Sequence, residues 1–276
     1  MPQIKRLPTM LAQFFKFLLV VVTQRQLIFA LSKREISSQY VGSVLGIVWT
    51  FIQPMVMIFV FWFVFSVGFK TKPMNDVPFA VWLTAGMAPW FVFSDIVIKS
   101  THAVVEYSHL IKKSVFPSQV LPVVKLVSSM FTHLAFVILL LVLLLFQKVS
   151  FGLYALQFFY YLFCLSVLAI GIGWLVAALN VFIRDVGQMV AVVMQVGFWA
   201  TPIFWDIDIM SPKIQTVLKL NPVYYIIQGY RDSFIYGVPF WQHPQYTLYF
   251  WFVSAGLFVT GAMVFRKLKG QFADVL

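Results

Sequence analysis

Between Ser150 and Trp205 the chain carries only two charges, Arg184 and Asp185, and they are adjacent. Phe151–Ile183 and Val186–Trp205 are otherwise uncharged. Runs of this kind belong in a bilayer, where about 20 apolar residues in a helix cross a core roughly 30 Å thick. At about 1.5 Å per residue, a helix over Phe151–Ile183 would reach about 50 Å, more than one crossing needs. A span starting near Tyr154 emerges around Ala178 to Phe182 and leaves Arg184 at the surface. The pair is then either a turn at the membrane surface or an ion pair inside the membrane. The length favours the turn. A buried pair is expensive and marks an ion pathway, and neither run supplies any other charged relay.

The rest of the chain is of the same character. It is 61% hydrophobic and 11% charged, against roughly a quarter charged in soluble domains. The fold class is an all-α integral membrane protein. Six spans are expected, at about 44–69, 78–100, 120–147, 152–181, 186–205 and 246–266. In the second, Asp95 and Lys99 stand four apart, a spacing that pairs them on one helix face. The net charge of +11 records orientation in such a protein, because positive loops stay cytoplasmic, and it does not call for nucleic acid. With the N-terminus inside, the inner segments hold Lys5, Arg6, Lys16, Arg25, Lys33, Arg34, Lys99, Lys112, Lys113, Lys125, Arg184, Arg266, Lys267 and Lys269. The outer ones hold Lys70, Lys72, Lys148, Lys213, Lys219 and Arg231. Both termini are thus expected in the cytoplasm. A single cysteine, Cys164, excludes an internal disulfide and a cysteine metal cluster. The N-terminal apolar run is broken by Lys16 and Arg25 and shows no cleavage site.

Three segments are not expected to span. The 7–35 stretch reads as one interfacial amphipathic helix with snorkelling basic side chains. The 105–119 stretch is a short cytoplasmic connection, helical at first and broken at Pro117. The 206–243 stretch is an outer connection too long to be structureless. Its "NPVYYIIQGYRDSFI" suits a short re-entrant helix, with Pro222 at the helix start and its ends shielded by protein.

Chemistry is sparse. No stretch matches the phosphate-cradling G-x-x-x-x-G-K-[ST] loop. "GIG" at Gly171–Gly173 reads as small residues for close helix packing. The histidines His102, His109, His133 and His243 have no metal spacing, and no paired carboxylates suggest acid–base catalysis. Catalytic and metal residues are therefore expected to be absent, and the chain reads as a pore or carrier without an engine. Aromatic rings and amides in the membrane suit sugar rings, which offer flat C–H faces and hydroxyls. The candidate channel residues are Tyr40, Trp49, Phe51, Gln53, Trp62 and Phe65 around the first span, with Gln188, Gln195 and Trp199 on the fifth. Such stripes also pack against other helices or lipid.

Five stretches resemble one family. "KREISSQYVGSVLGIVWTFIQPMVM" is similar to the approach to the first span of polysaccharide-exporting ABC transporter permeases, the type-2 exporter family. "LIKKSVFPSQVLPVVKL" resembles their segment between spans two and three, and "NVFIRDVGQMV" with "WATPIFW" their junction of spans four and five. "LNPVYYIIQGYRDSFI" resembles their outer re-entrant region, and "FRKLKGQFADVL" their C-terminal tail. The resemblance implies a homodimer in the bacterial inner membrane, joined by two copies of a separate ATP-binding subunit. ATP and magnesium would be held there, with no cofactor in this chain. The substrate implied is a lipid-linked polysaccharide on undecaprenyl diphosphate, O-antigen foremost, with teichoic acid or capsule as alternatives. Lys33 and Arg34 would attract the diphosphate or serve topology and anionic lipids. Glu106, Tyr107, His109, Leu110, Lys112, Lys113, Phe116 and Pro117 would couple to the ATPase, and Arg184 with Asp185 would form an inner turn. Two rivals remain. An ion-coupled secondary transporter would use Asp95 and Lys99. A membrane transferase would need more than Asp206 and Asp208, which lack a partner motif.

Overall fold

The structure is a computed structural model that describes residues 6–70, 77–113 and 116–276, with side chains from Phe14 onward. Lys72 and positions 114–115 of the connection lie outside the described residues. Every regular element among the described residues is helical. In lipid this is the expected solution, because a helix satisfies its own backbone polar groups.

Helices α1 (Arg6–Thr23) and α2 (Arg25–Ser38) open the chain. They meet at 61°, so the single 7–35 helix expected from the sequence is two. The bend has a packing cause. Phe17 of α1 lies edge-on to Trp174, with ring centres 5.1 Å apart, while Ile28 and Leu31 of α2 are buried at the same end of the bundle. One straight helix cannot deliver both faces. Lys16 and Arg25 remain exposed.

The long helices follow. They are α3 (Trp49–Trp62), α4 (Phe79–Glu106), α6 (Leu121–Phe146), α7 (Phe158–Phe182) and α11 (Pro244–Leu268), with the short α5 (Ser108–Lys113) between α4 and α6. Among the described residues, five helical stretches are long and apolar enough to cross a membrane: Gly46–Gly68, Phe79–Lys113, Ser118–Phe146, Leu153–Phe182 and Pro244–Val275. Helix α8 (Asp185–Ala200) has 16 residues and at 1.5 Å per residue reaches only about 24 Å. The expected span 186–205 therefore stops short. Thr201 is extended, Pro202 brings no N–H to continue the ladder, and the chain turns into α9 (Pro212–Lys219) and α10 (Pro222–Arg231). Asn221 caps α10 by accepting from the Val223 N–H at 3.0 Å, and Pro222 is its first residue. A C-terminal turn, α12 (Phe272–Val275), closes the chain.

Helix α4 is the axis. It packs on α7, α6, α10, α8 and α3, and from Phe79 to Trp90 every side chain is buried. Helices α3 and α8 are peripheral. In α3 only Thr50, Pro54 and Ile58 are buried, and in α8 only Gly187 and Val190. Helices α7 and α11 approach most closely where glycines face each other. A Cβ on Gly261 would overlap the Gly171 carbonyl oxygen, and one on Gly171 would lie 2.7 Å from the Phe258 backbone.

This contact makes a comparison available within one helix. Gly261→Ala should lower the melting temperature of the detergent-purified protein, since overpacking of this kind costs about 1–3 kcal/mol. Gly256→Ala, with nothing within 4 Å of the added carbon, should leave it unchanged or raise it, because alanine is the better helix former by up to ~1 kcal/mol. Equal melting temperatures for the two variants would show that the contact is not tight.

Candidate functional site

At one end of the bundle three segments are tied by a buried lysine. Lys125 of α6 is 5% exposed. Its Nζ lies 2.5 Å from Oε1 of Glu35 on α2 and 2.6 Å from Oε2 of Glu106, the last residue of α4. The Tyr107 hydroxyl donates to Glu35 Oε1 at 3.0 Å, and the Ser128 hydroxyl donates to Glu35 Oε2 at 3.0 Å. Ser32 of α2 adds a bond to the Val124 carbonyl at 3.2 Å. A lysine held away from water needs such carboxylates. The sequence reading placed Lys125 among the loop charges and did not pair it with Glu35. The partners lie ninety positions apart, beyond any local spacing rule.

The expected coupling residues gather here but divide by direction. Tyr107 is buried, and Leu110 and Phe116 pack against the cluster formed by α1, α2, α7 and α11. Pro117 is half-buried, His109, Lys112 and Lys113 are exposed, and Glu106, also exposed, turns one carboxylate oxygen back to Lys125. A helix as short as α5, pressed against a bundle, turns its apolar residues inward. Lys33 and Arg34 are exposed on α2. Arg184 and Asp185 stand exposed in the turn from α7 to α8, Arg184 before its first turn and Asp185 opening it.

The expected channel residues are only partly brought together. Tyr40, Trp49 and Gln53 line a cavity of about 370 Å³ on the flank of α3, α4 and α6. The Asp95–Lys99 pair stands in its wall at 2.8 Å, and Ser129 donates to the same Asp95 oxygen at 2.6 Å. Phe65 and Trp199 meet elsewhere, both against Phe204 at 4.9 and 5.0 Å, and Trp62 stands beside Phe59. Phe51 is half-buried outside this cavity, while Gln188 and Gln195 are exposed on α8.

A second cavity, of about 410 Å³, lies where α4 begins, under the turn from α8 and beside α10. Arg231 anchors it. The residue is 3% exposed, donates to the carbonyls of Pro202 and Ile203 at 3.0 and 2.7 Å, and stacks 3.6 Å above the Trp82 ring. Next to it, burial pushes the Asp232 carboxyl up to about 6. In the sequence Arg231 counts with the outer charges and falls inside "NPVYYIIQGYRDSFI", the expected re-entrant helix, and that position is the signal for its burial.

The model of the ABC-2 type transporter family matches residues 26–235. The chain belongs to the ABC-2 type transporter family. The matched part of this ABC-2 chain contains every member of the Lys125 cluster and Arg231. The chain is similar to an O-antigen export system permease protein RfbA of Klebsiella pneumoniae, 26% identical over 254 residues that cover 91% of this chain and 95% of that protein. It is also similar to an RfbA of Myxococcus xanthus, 29% identical over 217 residues, or 76% and 80% of the two chains. With its apolar helices, this makes it a multi-pass membrane transport protein.

Removing the buried ammonium should expose the strain it relieves. Lys125→Met leaves the Glu35 carboxylate facing α6 unpaired and should destabilise the protein by about 3–5 kcal/mol. Adding Glu35→Gln should recover more than half of the loss of melting temperature. A double variant no more stable than the single one would show that the pair contributes nothing.

Proposed function

We propose that this chain is the membrane subunit of an ATP-driven exporter that carries a lipid-linked polysaccharide across the bacterial inner membrane. The substrate is O-antigen on undecaprenyl diphosphate. The observation that carries this reading is the end-to-end likeness to O-antigen export permeases. A chain without a phosphate-binding loop needs an external engine, and two copies of a separate ATP-binding subunit supply it, holding the ATP and magnesium. Exposed His109, Lys112 and Lys113 on α5 offer that subunit a basic edge beside the Lys125 cluster. Glu35 and Glu106 then connect its movement to α2 and α4.

Two copies of the chain form the path. Helices α3 and α8 support this, because Met55, Phe59, Phe63, Val192, Val196 and Trp199 are exposed apolar side chains and need either lipid or a second protomer. Lys33 and Arg34 at the inner surface suit the diphosphate. The ion-coupled alternative rests on Asp95 and Lys99. Their mutual pairing, with Ser129 added, supports a structural role, since each is already matched.

The engine is tested directly. The purified chain should neither bind nor hydrolyse ATP alone, and should support ATP turnover and surface display of polysaccharide only when co-expressed with an ATP-binding subunit. ATP turnover by a rigorously partner-free preparation rejects the reading.

Orientation is tested with cysteines, since the native Cys164 is buried. Cysteine at 109 or 184 should react with impermeant thiol reagents in inside-out vesicles, and cysteine at 241 only in intact spheroplasts. The opposite pattern would invert the topology and remove α5 as the ATPase contact.

A further inference from the structure

The cavity beside Arg231 lies at the far end of α4 from the Lys125 cluster. Trp82 is in the first turn of α4 and Glu106 is its last residue. In the proposed orientation it is therefore on the outer side. Its volume of about 410 Å³ falls in the ~300–1,000 Å³ range of small-molecule sites. Its walls are dominated by aromatic rings, Tyr224, Tyr236 and Tyr246 among them, with Ile207 and Val238 as its branched aliphatics, too few to line an acyl-chain site.

Polar groups stand between these rings with unused capacity. Gln228 donates to Asp232 Oδ1 at 2.9 Å, which leaves its own carbonyl oxygen as an acceptor. Asp232 Oδ2 and His243 Nε2 stand 3.9 Å apart, too far for a direct hydrogen bond. One hydroxyl inserted there reaches both at about 2.8 Å, accepting from the ring nitrogen and donating to the carboxylate. Arg231, which lines the same cavity, keeps its Nε buried without a hydrogen-bond partner among the described residues. Asp206, Asp208 and Asp232 on this wall outnumber Lys219 and Arg231, which disfavours a phosphate. Among the described residues these carboxylates do not form a group able to hold a metal ion.

We propose that this cavity is a saccharide subsite, separate from the channel, that takes a neutral hexopyranose of the glycan as it leaves the membrane. One C–H face of the sugar lies on the tyrosine rings. One hydroxyl bridges Asp232 and His243, and another donates to the Gln228 carbonyl. The assignment rests on the polysaccharide reading above. It adds a place where the emerging chain is held after crossing.

The test uses the full-length protein in nanodiscs and three probes, mannotriose, galactotriose and maltotriose, read by saturation-transfer NMR. At least one should receive magnetisation on its ring protons. His243→Ala and Gln228→Ala should each weaken that binding by about tenfold, the worth of one hydrogen bond to a partly charged site. His243 is largely exposed, so its replacement leaves the fold in place, which an unchanged melting temperature verifies. Gly256→Ala, which adds a methyl into open space away from both cavities, should leave binding unchanged. No transfer to any of the three sugars, or equal binding by wild type and His243→Ala, overturns the subsite. Surface display with the co-expressed ATP-binding subunit separates the two ideas. If display occurs without trisaccharide binding, only the subsite falls. If display fails in wild type, the polysaccharide reading falls with it.

Discussion

A lysine ammonium inside a helical bundle has to be matched, and Lys125 obliges three segments to meet. Glu35 must come from the N-terminal arm, Glu106 from the end of α4, and the Tyr107 and Ser128 hydroxyls fill the remaining lone pairs of Glu35. In a low-dielectric surrounding such a network is favourable only when complete, since one missing partner strands a charge. The consequence is geometric. Helix α2 cannot float along the membrane surface independently of α4 and α6. The bend between α1 and α2 follows, because Phe17 must reach Trp174 while Glu35 reaches Lys125.

What was legible in the sequence had a local cause. The apolar runs announced helices, and the length of Phe151–Ile183 forced a break near Arg184. Asp95 and Lys99 were readable as a pair from their four-residue spacing. Pro222 announced a helix start, and Gly171 a close approach. What was not legible depended on contacts across the chain. Val186–Trp205 is uncharged throughout, so nothing in the charge pattern told α8 to stop at Ala200. The stop needs Thr201 and Pro202, and the Arg231 guanidinium that donates to the Pro202 and Ile203 carbonyls. Leu110 and Phe116 belong to the segment that the resemblance assigns to ATPase coupling, and only the fold shows that both are partly buried against the apolar cluster at this end of the bundle. The channel set depends on the fold in the same way. Helical spacing put Gln188, Gln195 and Trp199 on one face, but only the fold tells which helix lies opposite, and that face is uncovered within one protomer.

That uncovered face has a physical reading. Association in a bilayer gains nothing from hydrophobic burial itself, so tight helix pairs depend on small residues and polar contacts. The α7–α11 pair follows this rule with Gly171 and Gly261. Helices α3 and α8 do not. Their outward surfaces are large and aromatic, and α3 carries Pro54 and a π-helical turn at Phe63–Gly68. In the proposed dimer, bulky surfaces of this kind would meet a second copy with less interdigitation than a glycine seam allows. A path that has to widen around a polymer needs such an interface, whereas the α4–α7–α11 core needs the opposite and has it.

Helix α4 joins these arguments. With 28 residues it is about 42 Å long, carries Glu106 at one end and Trp82 at the other, and is the most enclosed helix of the bundle. A close-packed helix passes displacement to its neighbours, and α4 is packed on five other helices between the two cavities it borders. Among the described residues it is the one helix that runs from the Lys125 cluster to Trp82. There the Arg231 guanidinium lies on the Trp82 ring and holds the Pro202 and Ile203 carbonyls, which end α8. One helix thus connects the Lys125 cluster, the wall of the Arg231 cavity and the end of α8. In the exporter reading, ATP-driven motion at the inner end changes the outer cavity and the α8 interface together, without a separate signal to either.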